Sequence, residues 1–243
     1  MLLALETAAR APSVALLAGD ELLAEERAPA GRTGAEGLLP CVDAALARVG
    51  VALDAVEAVA VSIGPGSFTG LRVGVATVKG LLFGCSRPVV PVPTLAALAR
   101  LAPEAETEPV VALLDARRGE FYAAAYRCVG GWAGGWAGAA EPAGAPEACE
   151  PLEGVYTPEE LATRLPAACL LVGEGVPLCG ERLRAWCGPG VRLGPATDPR
   201  ARDVGALGRR LLAAGGGIDA ADLVPRYLRR AEAEVKRTGE RFE

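Results

Sequence analysis

The segment Ser62–Gly80, SIGPGSFTGLRVGVATVKG, limits the folds open to this chain more than any other stretch. A short apolar run, Ala58–Ile63, leads into it. The run is β-prone and bounded by Gly and Pro, so it reads as a buried strand. GPGSFTG follows as a tight loop whose glycines permit backbone angles closed to other residues. From Leu71 the pattern turns helical and continues to the neighbourhood of Phe83. Strand, glycine loop and helix N-terminus in succession is a geometry suited to holding an anion or a close neighbour.

Standard phosphate and nucleophile motifs do not fit this loop. No Gly-Lys-Ser/Thr closes it, and Lys79 lies well inside the helix, so it is not a Walker A motif. Gly70 falls one position late for GxGxxG, and Pro65 excludes a GxSxG elbow around Ser67. Instead Gly66, Gly70 and Gly74 recur every fourth residue and line one side of the helix start. A glycine inside a helix costs roughly 0.5–1 kcal/mol relative to alanine, which implies that something lies against the bare face. Two readings are open: close packing on the chain's own sheet, or the helix of a partner subunit.

Composition narrows the function classes. The chain has 243 residues, 51% of them apolar and 23% charged, enough for a large core in one domain or two lobes. A net charge of −5 provides no global basic field for nucleic acid or membrane. No apolar run reaches the roughly 18–20 residues of a membrane helix. MLLALETAAR lacks a basic n-region and carries Glu6, so no signal peptide is expected. Seven cysteines without a CxxC fit reduced thiols in a cytoplasmic protein. The chain contains no histidine, which removes Ser-His-Asp and Cys-His catalysis, HExxH zinc sites and any histidine base. No carboxylate or thiol cluster has metal-ligand spacing, so no metal is expected.

Along the chain, Leu2–Glu6, Ser13–Ala18 and Glu21–Arg27 read as an antiparallel meander. Glu6 ends the first strand, either pointing a carboxylate into a cleft or standing as a solvated turn residue. Thr33-Gly-Ala-Glu36 is a candidate capping box for a helix carrying Leu38, Leu39, Val42, Leu46 and Val49 on one stripe. Pro40 would be interior to that helix unless it begins nearer Leu39. Pro88–Val92 reads as a strand, with Thr94 capping a helix over Leu95–Leu101. Pro103–Pro109 is the expected boundary, giving lobes of 1–103 and 104–222, with 223–243 returning to the first. In the second lobe Val110–Leu114 and Phe121–Arg127 flank the charged turn Asp115–Glu120, read as a local ion pair. Val129–Ala148, with Trp132 and Trp136, reads as a surface loop. Thr157 caps a short helix with Pro158 at its first position. Leu170–Val172 is a strand, Leu178–Trp186 and Val204–Ala214 are helices, and Leu223–Leu228 is extended before a charged tail helix, Ala231–Arg237.

Several of these segments, in order, carry a resemblance. LLALETA, EGLLPCVDAAL, VAVSIGPGSFTGLRVGVATVKGL, LLDARRGEFYAAAY, LLVGEG and VPRYLRRAE resemble the corresponding segments of the TsaB (YeaZ) family. The resemblance implies an α/β, actin-like (ASKHA, ribonuclease H-like) two-lobe fold with mixed sheets flanked by helices. It implies a non-catalytic scaffold or activating subunit for a TsaD-like catalytic subunit that forms threonylcarbamoyladenosine beside the tRNA anticodon. A TsaE-like ATPase takes part, tRNA is met through the complex, and ATP belongs to the complex, with no cofactor held by this chain alone. Glu6 stands where the family usually has aspartate, and Gly34 where histidine is common. The family interface uses the first long helix and the glycine-rich helix. This places Leu39, Val42, Leu46, Gly66, Gly70, Gly74, Val75 and Val78 as expected partner-binding residues, with a homodimer expected when the partner is absent. The competing class is an independent enzyme of the fold, a small-molecule kinase or glycoprotease-like peptidase. A direct tRNA contact through Arg226, Arg229, Arg230, Lys236 and Arg237 is a third reading that the acidic charge disfavours.

Overall fold

The computed structural model describes residues 1–29, 34–102, 107–127, 147–148 and 152–229. Its strands are β1 (Leu2–Glu6), β2 (Ser13–Ala18), β3 (Glu21–Arg27), β4 (Ala58–Gly64), β5 (Val89–Pro93), β6 (Val110–Asp115), β7 (Phe121–Arg127), β8 (Glu147–Ala148), β9 (Gly154–Tyr156), β10 (Cys169–Val172) and β11 (Val191–Leu193). Its α-helices are α1 (Gly34–Val49), α2 (Phe68–Leu81), α3 (Thr94–Ala99), α4 (Pro158–Ala162), α5 (Glu181–Cys187) and α6 (Ala201–Ala213). The capping-box residue Thr33, the loop holding Trp132 and Trp136, and the tail helix 231–237 lie outside the described residues. α1 does run through Pro40. The proline stands on the exposed side of the helix, away from the core.

The chain divides into two compact units, residues 1–94 with 199–227 and residues 95–198 with 228–243. In the first unit the sheet order is β3-β2-β1-β4-β5. β1 pairs antiparallel with β2 (Leu2↔Leu17) and parallel with β4 (Leu2↔Ala58), and β4 runs parallel to β5 (Val59↔Val89). Alternation along the strands sorts the two faces. Leu3, Leu5, Val59 and Val61 point to one side and share a core with Leu38, Val42, Val75 and Val78 of α1 and α2. Their neighbours Ala4 and Ala60 point to the other side and meet α6 at Gly205 and Gly208, where added Cβ atoms would collide with the sheet. Small residues on both surfaces let α6 lie close against the strands. The expected boundary therefore needs correcting, because residues 199–222, assigned to the second lobe from sequence, pack in the first unit.

In the second unit the sheet order is β11-β10-β6-β7-β8, with β9 also paired to β7. β6 and β7 form a hairpin, and β10 runs parallel to both β6 and β11. Counted outward from the hairpin, each unit has the same plan: an antiparallel meander followed by two parallel strands. This is the duplicated, mixed-sheet α/β architecture of the actin-like class. Val111, Leu113, Phe121, Leu161, Leu171 and Leu183 fill its core. The edge strands β8, β9 and β11 were not anticipated. They span two or three residues each, too few for a period-2 signal, and exist because a neighbouring strand offers them a ladder.

Candidate functional site

The glycine loop and the β1–β2 turn meet at the C-terminal ends of two adjacent parallel strands, β1 and β4. That end of an open α/β sheet is where ligands usually bind. Here the chain fills it with its own atoms. Glu6 is fully buried. Its Oε1 accepts the backbone N–H groups of Ala8 and Ala9 at 2.5 and 3.0 Å. Two amides of the turn thus converge on a carboxylate of the same chain, as they would on an anionic ligand. Neither sequence reading of Glu6, cleft carboxylate or solvated turn residue, survives. It is an internal hydrogen-bond acceptor that shapes the turn.

The glycines answer to the same turn. The Thr7 N–H donates to Ser62 Oγ at 3.0 Å, and the Ser67 N–H donates to the Ala8 carbonyl at 2.9 Å. Ser67 also caps α2, its Oγ accepting the Gly70 N–H at 3.2 Å. A Cβ on Gly66 would stand 2.5 Å from the Ala8 Cβ, one on Gly70 would collide with the Thr7 carbonyl, and one on Gly74 with Thr7 Oγ1. The four-residue spacing therefore marks the line along which α2 seats on the first hairpin. The cover on that bare face is the chain's own β1–β2 turn, Thr7 and Ala8, and not its sheet as one of the two readings had it.

The other expected partner-binding residues divide by exposure. Val42, Val75 and Val78 are buried in the core between sheet and helices, and Leu46 packs partly buried against it. Leu39 is 49% exposed, and Phe83, just past α2, is 90% exposed. α1 and α2 pack side by side in this unit.

The sequence places the C-terminal segment back on the first lobe but gives no sign of its contacts with α2. Leu223 is fully buried in the first unit's core. Lys79 Nζ donates to the Ala221 carbonyl at 2.8 Å, and the Arg226 N–H donates to the Ile63 carbonyl at 2.7 Å. Gly64, at φ 123°, has no room for a side chain because the Arg226 carbonyl lies against it. The Tyr227 ring stands 4.8 Å from Phe68, its hydroxyl accepts from Arg72 Nε at 3.1 Å, and the Arg72 guanidinium lies 3.9 Å over Phe68. The sequence signals were the apolar and aromatic residues Leu223, Val224, Tyr227 and Leu228 and the resemblance carried by VPRYLRRAE.

In the second unit, the β6–β7 turn holds the expected local pair. Asp115 accepts the Arg117 N–H at 2.7 Å and pairs with its guanidinium at 3.2 Å. Arg117 and Arg118 both adopt left-handed backbone angles, followed by Gly119, which closes the turn. Arg229 pairs with Glu120 and donates to the Ala116 carbonyl at 2.9 Å. Its charge is thereby satisfied inside the unit, which corrects its placement in a nucleic-acid patch. Arg230, Lys236 and Arg237 lie outside the described residues. Among the described residues no group of three or more His, Cys, Asp or Glu is placed to hold a metal ion, and the five cysteines are free.

The chain is similar to a family model, to two relatives and to a solved structure. Residues 28–140 match the family model described as TsaD, tRNA N6-adenosine threonylcarbamoyltransferase. The "tRNA threonylcarbamoyladenosine biosynthesis protein TsaB" of Escherichia coli (strain K12) is 32% identical over 248 residues, covering 98% of each chain. The protein of the same description from Haemophilus influenzae is 46% identical over 123 residues, an alignment spanning 50% of this chain and 51% of that one. Among solved structures, YeaZ from Pseudomonas aeruginosa superposes with a TM-score of 0.74 at 34% identity, covering 93% of this chain and 99% of that one.

Proposed function

Because the chain belongs to the TsaB family, we propose that it acts in tRNA threonylcarbamoyladenosine formation as a non-catalytic partner of a TsaD-type subunit. The observation that carries this reading is the end-to-end match to a TsaB relative, 98% of both chains at 32% identity. Two features of the chain itself support the absence of chemistry. No histidine is available as a base or metal ligand. The turn that would receive an anion at the end of β1 is filled by Glu6. In this reading the partner docks on the outer faces of α1 and α2, a TsaE-type ATPase joins the assembly, and tRNA and ATP are met by the complex. Alone, the chain pairs with a second copy through the same face, and it works in the cytoplasm.

The docking residues are the exposed apolar ones, Leu39 and Phe83, with Leu46 at their border. The glycines and Val42, Val75 and Val78 act behind that face by fixing the helices. A pull-down with a TsaD-type subunit tests this. The wild-type chain is expected to form a sized complex, and Leu39→Asp with Phe83→Asp to lose it at unchanged melting temperature. Failure of the wild-type chain to bind, or turnover of ATP by the chain alone, would overturn the proposal.

A further inference from the structure

In the first unit α2 lies between two neighbours. The strand order is β3-β2-β1-β4-β5, with α1 packed over β3 and β2 and α2 over β4. Next to β5, which ends that order, Val89 and Ile218 exchange backbone bonds at 2.8 and 2.9 Å in an antiparallel bridge. From Ile218 the chain continues to Leu223, which is buried in the core that α1 and α2 share with the sheet. Residues 218–227 therefore form a third ridge beside α1 and α2.

This ridge runs antiparallel to α2. Ala221 accepts from Lys79, near the end of the helix, and Tyr227 accepts from Arg72, near its start. Between these two attachments Leu223 is extended, and successive residues of an extended chain point to opposite sides. Leu223 is fully buried, and Val224 is 65% exposed. Val224 has little freedom to withdraw. The Arg226 N–H bonds the Ile63 carbonyl, and the Tyr227 ring lies against Phe68. A surface that closed over Val224 would therefore pay little ordering cost. The outward stripe of α2 is Arg72, Ala76 and Gly80, followed past the helix end by Phe83. Ala76 and Gly80 carry little or no side chain, so the large apolar groups along this flank are Phe83 and Val224. Charged Arg72, Lys79 and Asp222 border them, which is the apolar centre and polar rim of an interface.

We infer that residues 221–227 are a third docking element beside α1 and α2, with Val224 as its anchor, covered by the same TsaD-type subunit. This rests on the reading above that the outer faces of α1 and α2 receive that subunit. The occupant follows from continuity. Leu39 of α1 stands on one side of α2 and Val224 on the other, so a partner seated across α2 onto Leu39 and Phe83 meets the ridge next to it.

Titration calorimetry of the full chain with a TsaD-type subunit tests the anchor. Val224→Asp is expected to weaken binding at least about tenfold, with the melting temperature of the free chain unchanged because the side chain is exposed. Methyl cross-saturation on the valine-labelled wild-type chain reads the contact directly. The Val224 resonance, identified by its absence from Val224→Ala, is expected to lose intensity when protons of the bound subunit are saturated, while that of the buried Val59 is not. Unchanged affinity in Val224→Asp overturns the inference. So does a Val224 methyl untouched by saturation of the bound subunit, or one reached only from a second copy of the chain. In each of these cases the reading of the α1 and α2 faces stands if Leu39→Asp with Phe83→Asp still loses the complex. A wild-type chain that does not bind overturns both. The methyl measurement decides the matter even if the charged variant fails to fold.

Discussion

Glycines of one helix carry opposite expectations here, because the space beside each differs. Gly70 of α2 faces the Thr7 carbonyl, whereas Gly80 has nothing within contact distance. Gly70→Ala should destabilise by about 1–3 kcal/mol or more through overpacking against backbone. Gly80→Ala should stabilise by about 0.5–1 kcal/mol through helix propensity alone. Urea unfolding of the two variants reads both signs. Glu6 supports a second prediction. Removing its carboxylate leaves two buried amides without their acceptor, each costing about 1–3 kcal/mol, so Glu6→Ala should cost at least about 2 kcal/mol. If Glu6 were a solvated turn residue, the loss would be near zero. Thr7 Oγ1 is buried against Gly74 with no hydrogen-bond partner among the described residues. Thr7→Val should therefore be neutral or stabilising, as the unpaired hydroxyl is replaced by a methyl of the same shape.

At the scale of elements, α2 is held from three sides: the first hairpin under its glycines, the core under Leu71, Val75 and Val78, and the C-terminal segment across its polar side. The last of these is the least local, linking Arg72 to Tyr227 across 155 positions of sequence. Leu223→Ala should cost about 2–5 kcal/mol, as a fully buried leucine, and should loosen α2 in hydrogen exchange more than any other helix. A double-mutant cycle of Phe68→Leu and Tyr227→Leu should give a coupling of about 0.5–1.5 kcal/mol from the ring pair. A coupling of zero would mean the rings merely lie near each other.

For the molecule as a whole, the Glu174 carboxyl, which burial raises, sets a pH dependence of stability. The unfolded chain loses this proton near the ordinary value of 4.5, while the folded chain holds it to about 7. Between those values the folded state binds more protons than the unfolded one, so stability falls as pH rises through the window and then levels off. Urea midpoints should therefore decline from mildly acidic to neutral pH, and Glu174→Gln should flatten that decline. Stability rising over the same interval would assign the dominant titration to another group.

The longer elements and their order were legible in the sequence, whereas the two- and three-residue edge strands β8, β9 and β11 were not. The three-strand meander matched residue for residue and the β6–β7 hairpin to within a residue, while α2 begins at Phe68, three residues before the expected start at Leu71. Periodicity, turn residues and caps act over a few positions, so they are legible in a single chain. Tertiary structure alone decided what covers each face. It put Thr7 and Ala8 on the glycine line of α2, buried Glu6 within its own turn, returned α6 to the first unit, and brought Tyr227 to Phe68. A bare or apolar stripe records that a surface is covered; the identity of the cover depends on the path of chain far away in sequence, which no local pattern encodes.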